Sequence, residues 1–407
     1  MRSYLHQGKA NNMLPRERIF KTLDRQEPDI VPWGEHWIDY NVYESILGRE
    51  TFVHAKMKET KAWWEGKDKE IIESYKQDVV DLVEALDLDM VTVELFPFSQ
   101  YVLVGQRGSD GFQKPMKQLD QNTYQDRDGS IWHVSVVTHD LMPYWMNPET
   151  YNPPTLESIE RAIGEIDRNG VKMPEDWQWE LIRHVVKKMK STHFITCLAE
   201  DIDFPSFGQT DEEFYLNLAL HPEMHAKLAE LAGKRAVGML KYYAEEGIDG
   251  LIPCADYGSS IGLLASPKIF IEHVFPWLKA YCDEAHKLNM KVLKHCCGKT
   301  WEIFEYFIKA GYDAYESIQS TAGMDIKLLK EQYGHKMTLW GGVSNENLIG
   351  GKPKDIEADA QYAIKWTAPG GGFIYGASHS LAVGTSVENL IAMKHSREKF
   401  GSYPIQV

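Results

Sequence analysis

Eight short β-rich runs alternate with longer helical stretches along almost the whole chain, and this rhythm constrains the fold more than any other feature. The runs lie at roughly 30–35, 89–94, 193–199, 249–255, 290–295, 312–316, 336–340 and 371–376. Between them the apolar spacing predicts helices over Phe214 to Glu246, Pro267 to Leu288 and Trp301 to Ala310. Strands that alternate with helices imply parallel βαβ units. Eight such units close most economically into a (β/α)8 TIM barrel, and 407 residues lie within the range of one barrel with insertions. About a hundred residues separate the second run from the third. Within them NTYQDRDGSIWHVSV reads as a β-hairpin turning at Asp128-Gly129. Asp126 and Asp128 there lack the twelfth-position glutamate of a calcium loop. The expected organisation is a disordered lead-in over 1–13 and a single barrel over 14–407, with an insertion at about 97–190 between strands 2 and 3. Thr385-Ser386-Val387-Glu388 reads as a capping box opening the last helix.

Composition narrows the function classes. The net charge of −15 opposes nucleic-acid binding, which needs a basic face. It also suits neutral or cationic substrates better than polyanions. Five cysteines in so long a chain do not make a disulfide framework, which points to a reducing, cytoplasmic setting. No apolar run reaches the 18 or so residues of a membrane span, and MRSYLHQGKANN has no apolar signal segment.

Barrel enzymes carry their chemistry where strands end and βα loops begin. Those positions hold Glu35 and His36, Glu94, Glu200 with Asp201 and Asp203, and Asp256. Further along come His295 with Cys297, Glu316 with Gln319, Gly341 to Asn345, and Ser378-His379. A core strand has no structural reason to end on a charge, because an unpaired buried charge is costly. In KVLKHCCGKT, strand alternation puts His295 and Cys297 on one face and Cys296 on the other. An imidazole and a thiolate on one face suit zinc, and a small buried thiol beside a core histidine is the other reading. His379, Glu200, Asp256 or Glu94 are the candidates for further ligands. Trp33, Trp37, Phe96, Phe98, Tyr257 and Trp340 lie near strand ends, where they line a flat pocket or simply pack.

The stretches HCCG, GYDAYESIQSTAGMDIKLLKEQYG, LWGGVSNENL and GGFIYGASHSLAVGTSVENL resemble the uroporphyrinogen decarboxylase superfamily. RERIFKTLDRQEPDIVPW is similar to that family's opening helix and first strand. The resemblance runs from Leu14 onward apart from the insertion, and it implies the same barrel. True decarboxylases of the family carry an arginine-rich segment after the first strand, where this chain has Glu35-His36-Trp37-Ile38-Asp39. The resemblance therefore implies the cobalamin-dependent methyltransferase branch, whose zinc is held by an H-x-C pair and a distant cysteine. His295 and Cys297 match the pair, and His379 stands where the cysteine is expected.

The function expected on this basis is O-demethylation. A methyl group would pass from a methoxylated aromatic to Co(I) of a partner corrinoid protein. Zinc would sit on His295, Cys297 and His379. Glu200, Asp256, Glu94 and His36 are the expected catalytic groups, and Glu35, Trp37, Phe96, Tyr257, Gln319 and Trp340 the expected substrate contacts. A homodimer is the assembly considered for the chain itself. The rivals are a decarboxylase of a small acid, a methyl-corrinoid:thiol methyltransferase, and a barrel kept as an interaction subunit.

Overall fold

The computed structural model describes residues 13–97, 116–208 and 210–406. Eleven strands are present among them. β1 (Met90–Val93) is followed by β2 (Lys117–Gln118), β3 (Thr123–Gln125), β4 (Ile131–Val134) and β5 (Leu141–Trp145), and then by β6 (Phe194–Ala199). β7 (Gly250–Pro253), β8 (Lys291–His295), β9 (Ala314–Glu316), β10 (Thr338–Val343) and β11 (Phe373–Ala377) complete the set. Seven of them form one curled parallel sheet in the order β1-β6-β7-β8-β9-β10-β11. Helices lie between successive members of that sheet, so the fold is α/β.

The run expected as a first strand at 30–35 is not a regular strand. Pro32 has no amide to donate, and the Trp33 amide donates to the side chain of Asp89 (2.8 Å) instead of to a neighbouring carbonyl. The segment nonetheless bonds to both edges of the sheet. On the β11 side Tyr375 N–H donates to the Pro32 carbonyl and Gly34 N–H to the Tyr375 carbonyl. On the β1 side Asp89 N–H donates to the Trp33 carbonyl (2.8 Å), and Thr92 Oγ1 donates to the Glu35 carbonyl.

Inward side chains fill the sheet's concave side: Met90, Phe194, Ile252, Leu293, Ala314, Trp340 and Ile374, one from each strand. Ile19 and Leu23 join them from the helix Pro15–Leu23. The outward faces pack against the surrounding helices in the larger core. Gly376 is required here, because a Cβ would collide with the Gly34 carbonyl and the Trp340 indole, which are themselves hydrogen-bonded at 2.8 Å.

Three helix expectations change in detail. The stretch from Phe214 splits into Asp211–Leu220 and Pro222–Glu245, because Pro222 lacks the amide that would continue the first helix. The stretch from Pro267 passes through a π turn at Phe270–Val274 before Phe275–Lys287. The helix expected from Trp301 begins at Phe304. The last helix is capped one residue later than the capping box implied, by Ser386, whose Oγ accepts the Asn389 amide. Between β1 and β6 the chain forms a separate four-stranded antiparallel sheet, β2-β3-β4-β5. β3 pairs with β4 across the turn that contains Asp128-Gly129. The lead-in over 1–12 lies outside the described residues.

The seam at Asp89 gives a direct test. Its carboxylate is buried and accepts from Arg18 Nη1 (2.7 Å), Trp33 N (2.8 Å) and Arg397 Nη2 (2.5 Å). Asp89→Asn would remove the buried charge that Arg18 and Arg397 share, leaving Arg18 with Asp29 and Arg397 with the exposed Asp87 3.6 Å away, and it should lower unfolding stability by about 3–5 kcal/mol in denaturant titrations. A change below about 1 kcal/mol would show that the seam does not depend on this charge.

Candidate active site and metal centre

Strand register builds the site. On β8 the inward positions are Leu293 and then His295, and on β9 they are Ala314 and then Glu316. Pairing of Leu293 with Ala314 therefore sets His295 directly beside Glu316. Lys294 points the other way, fully buried, with its Nζ held by Asp201 and the Ala255 carbonyl. Beyond β8 the chain turns at Gly298 (φ 80°), which lies against Gly258 so closely that neither tolerates a Cβ.

His295 Nδ1 is hydrogen-bonded to Glu316 Oε2, and the other oxygen, Oε1, lies 3.2 Å from His36 Nδ1. His295 Nε2 faces away from Glu316, 3.3 Å from Cys297 Sγ and 3.7 Å from Asp256 Oδ1. Asp256 also accepts the Cys297 amide (2.7 Å). The rings of His36, His295 and His379 converge, with centroids 4.4, 5.5 and 5.7 Å apart. One ligand atom each from His295, Cys297 and His379 falls within 4.8 Å of the others, and His36, His295 and Glu316 form a second such group.

Electrostatics follow from burial and partners. Burial alone would raise Glu316, but His36 and His295 beside it hold it well below the usual carboxylate range. Burial draws His295 down and Glu316 more than restores it, so His295 is raised overall. His36 is lowered, chiefly by burial. His379 falls to about 4 through burial and the neighbouring His36. Burial, with the Asp256 and Glu316 carboxylates, pushes the Cys297 thiol up.

A cavity of about 370 Å³ opens over this cluster at the C-terminal ends of the strands. His36, His295, Trp37, Glu94, Glu200, Tyr243 and Cys254 line it, with Leu95, Pro97, Leu198 and Ala199. Glu200 accepts the Tyr243 hydroxyl (3.0 Å), and burial raises its pKa. Glu94 Oε1 lies 2.9 Å from His54 Nε2.

Of the expected site residues, the structure brings together His295, Cys297, His379, Asp256 and His36, with Glu94, Glu200 and Trp37 around the same cavity. Others stand elsewhere. Glu35 is buried, accepting from Trp33 Nε1 (2.7 Å) and the Ala377 amide. Phe96 packs on Tyr75 and Trp63. Tyr257 sits in the outer core among Phe204, Phe270 and Phe307, its hydroxyl bonded to the Ile202 carbonyl. Gln319 accepts the Gly298 amide and so braces the loop after β8. Trp340 lies beneath His36, centroids 6.4 Å apart. Phe98 lies outside the described residues. His54 and Tyr243, which contact Glu94 and Glu200, are neighbours of the cavity that the strand-end pattern did not indicate. Glu316 was visible at a strand end, but its partners became apparent only with the register.

The donor set suits zinc. Bonds of about 2.0–2.1 Å to nitrogen and about 2.3 Å to sulfur put tetrahedral N and S donors roughly 3.5 Å apart, close to the 3.3 Å between His295 Nε2 and Cys297 Sγ. Glu316 keeps the His295 proton on Nδ1 and leaves Nε2 as the donor, the usual carboxylate support of a ligand histidine. Asp256 Oδ1 lies 3.7 Å from His295 Nε2 but falls outside the group formed by His295, Cys297 and His379.

Residues 208–400 match the family model described as Uroporphyrinogen decarboxylase (URO-D). A methyltransferase from Methanosarcina mazei shares the fold at TM-score 0.64 and 16% identity, covering 96% of this chain and 99% of that one. A GH18 chitinase from Flavobacterium johnsoniae (TM-score 0.32, 13% identity, 53% of this chain and 79% of that one) is only distantly alike. No curated protein sequence matches the chain.

Two outcomes are expected here. Elemental analysis of purified protein should give roughly one zinc per chain, falling sharply in Cys297→Ser and weakening about 10–100-fold in affinity in Glu316→Gln; equal zinc in all three proteins would remove the site. The second concerns Glu35, whose burial pushes it up to about 8 against the opposing hydrogen bonds from Trp33 and Ala377. A folded pKa above the unfolded one gives stability that is complete below the unfolded value and lost as pH rises through the folded one. Stability should therefore fall between about pH 5 and pH 8, and Glu35→Gln should lack that part of the slope. Identical pH slopes in denaturant titrations of the two proteins would refute this.

Proposed function

We propose that this chain, which matches the uroporphyrinogen decarboxylase family model over residues 208–400, is the methyl-accepting-and-delivering enzyme of a corrinoid-dependent system. It takes a methyl group from a methylated small molecule, a methoxylated aromatic, and passes it to Co(I) of a separate corrinoid protein docked over the cavity. The architecture proposed for it is a single (β/α)8 barrel over 14–407, in which the segment around Trp33 serves as the first strand, with an insertion at about 97–190. The observation that carries the function is the convergence of His295, Cys297 and His379 beneath an aromatic-walled cavity, with Glu316 behind His295. The full-length likeness to the fold of the Methanosarcina mazei methyltransferase agrees with it.

An ether oxygen leaves poorly, so methyl transfer to Co(I) needs help at that oxygen. Zinc, when bound, supplies a Lewis acid there. His295, Cys297 and His379 would hold it, with Glu316 fixing the His295 ring. Glu200, raised by burial and bonded to Tyr243, holds a proton within the cavity for the departing oxygen. Asp256 and His36 flank the cluster. Trp37 and Tyr243 line the cavity and give it aromatic walls. The lyase alternative fits less well, since no lysine or arginine lines the cavity among the described residues to receive a carboxylate.

With a reduced corrinoid protein and a panel of methyl ethers, the Co(I) spectrum should convert to methyl-Co(III), with one hydroxylated product formed per methyl transferred. His295→Ala and His379→Ala should lower kcat more than they raise KM, because help to the leaving group acts in the transition state. Unchanged rates in both would end the metal role. If no methyl ether, amine or thiol methylates the corrinoid, the lyase reading takes its place.

A further inference from the structure

Glu94, at the end of β1, is backed by a buried histidine that strand-end reasoning does not reach. His54 comes from the loop before the helix Lys56–Trp64. Its Nδ1 lies 2.6 Å from the Ile38 carbonyl oxygen. A carbonyl only accepts, so Nδ1 carries a proton. Its Nε2 lies 2.9 Å from Glu94 Oε1. Two protonation patterns complete that contact: an imidazolium against a carboxylate, or a neutral ring against a carboxylic acid.

The surroundings favour the first. The Trp37 ring stacks on His54 at 3.7 Å with 12° between planes, and an indole face attracts a cation. Trp37 is itself fixed, because its Nε1 donates to Asp39 Oδ1 (2.8 Å), and the same oxygen holds Lys56 Nζ at 2.8 Å. Burial draws His54 down, and Glu94, with a smaller contribution from the Glu59 acid on the Tyr75 side, more than restores it. Glu94 is thus a carboxylate with one oxygen tied to a cation, presented on the wall of the cavity that also contains His295.

An ionised carboxylate accepts hydrogen bonds and cannot donate them. We propose that Glu94, held by His54, receives a hydroxyl group of the methyl donor, so that the preferred substrates are methoxyphenols and not fully methylated arenes. A fully methylated ring would cover this charged acceptor without pairing it, which is the most effective way a site rejects an analogue. His54 is a positioning residue in this scheme. The proposal rests on the methyl-transfer reading for which group of the substrate reacts, but the recognition itself is a matter of binding.

The test uses the full-length, zinc-loaded enzyme and two ligands that differ by one methyl: guaiacol, with a free hydroxyl beside the methoxy group, and veratrole, with both oxygens methylated. Calorimetric titration of wild type should show guaiacol binding about tenfold or more tighter. Glu94→Gln and His54→Gln should bring the two affinities to within about twofold of one another, whereas a purely structural role would weaken both ligands alike and keep their ratio. Equal affinities in wild type, binding of neither ligand, or a ratio preserved in Glu94→Gln would each overturn the proposal. The wild-type comparison decides it even if a variant does not fold. If the preference holds but no corrinoid is methylated, the recognition stands and the methyl-transfer reading falls.

Discussion

The Asp89 carboxylate lies where the chain must join its own beginning to its end. It accepts from Arg18 on the opening helix, from the Trp33 amide, and from Arg397 on the final helix. Arg397 Nε also donates to the Val31 carbonyl (2.8 Å), and Arg18 reaches Asp29. A buried ion cluster of this kind contributes little net stability but exacts a large penalty when one member is lost. Its value is specificity. The segment from Ile30 to Ile38 has too few ladder bonds to choose its own register, because Pro32 lacks an amide and the Trp33 amide is used by a side chain. Asp89 supplies that register, and with it the placement of His36 and Trp37 in the cavity.

At the opposite end of the strands a second buried carboxylate does the corresponding work for chemistry. Glu316 lies between His36 and His295 with both oxygens facing imidazole nitrogens. In a medium of low polarity such an anion is stable only because two imidazoles attract it. The same attraction fixes which nitrogen of His295 carries the proton and which is left to bind a metal. The inward face of β8 is thereby divided along its length, with Leu293 in the apolar floor and His295 in the polar layer above it.

Much of this was legible in the chain. Seven of the eight β-rich runs are strands of the parallel sheet, offset by a residue or two, and β10 runs on through Gly341 and Gly342 beyond the run expected at 336–340. Strand alternation placed His295 and Cys297 on one face, because a period of two is a property of single strands. The pairing of His295 with Glu316 was not legible, since it depends on register between β8 and β9. His54 was hidden for a similar reason: a histidine in a loop carries no local signal of which strand end it will meet. Phe96 and Tyr257 illustrate the converse. Proximity to a strand end does not say which way a ring points, and both are absorbed by the outer core. Ser386 took the capping role from Thr385 because the two offer the same oxygen one residue apart.

Four glutamates around the strand ends show how one side chain serves different ends by environment. Glu316 and Glu94 each face an imidazole nitrogen and orient its ring. Glu35 and Glu200 have only neutral donors, the Trp33 indole and Ala377 amide in one case and the Tyr243 hydroxyl in the other, so burial dominates and raises both. Glu35 is sealed beneath the cavity and its proton is of no use to a ligand. Glu200 is on the cavity wall, where a proton can be delivered. Opposing charges are therefore cancelled locally inside a chain of net charge −15, and the cavity is polar without being strongly anionic. That balance suits the neutral aromatic ether proposed as methyl donor: acceptors and a proton at chosen points, with no field that would favour a charged competitor.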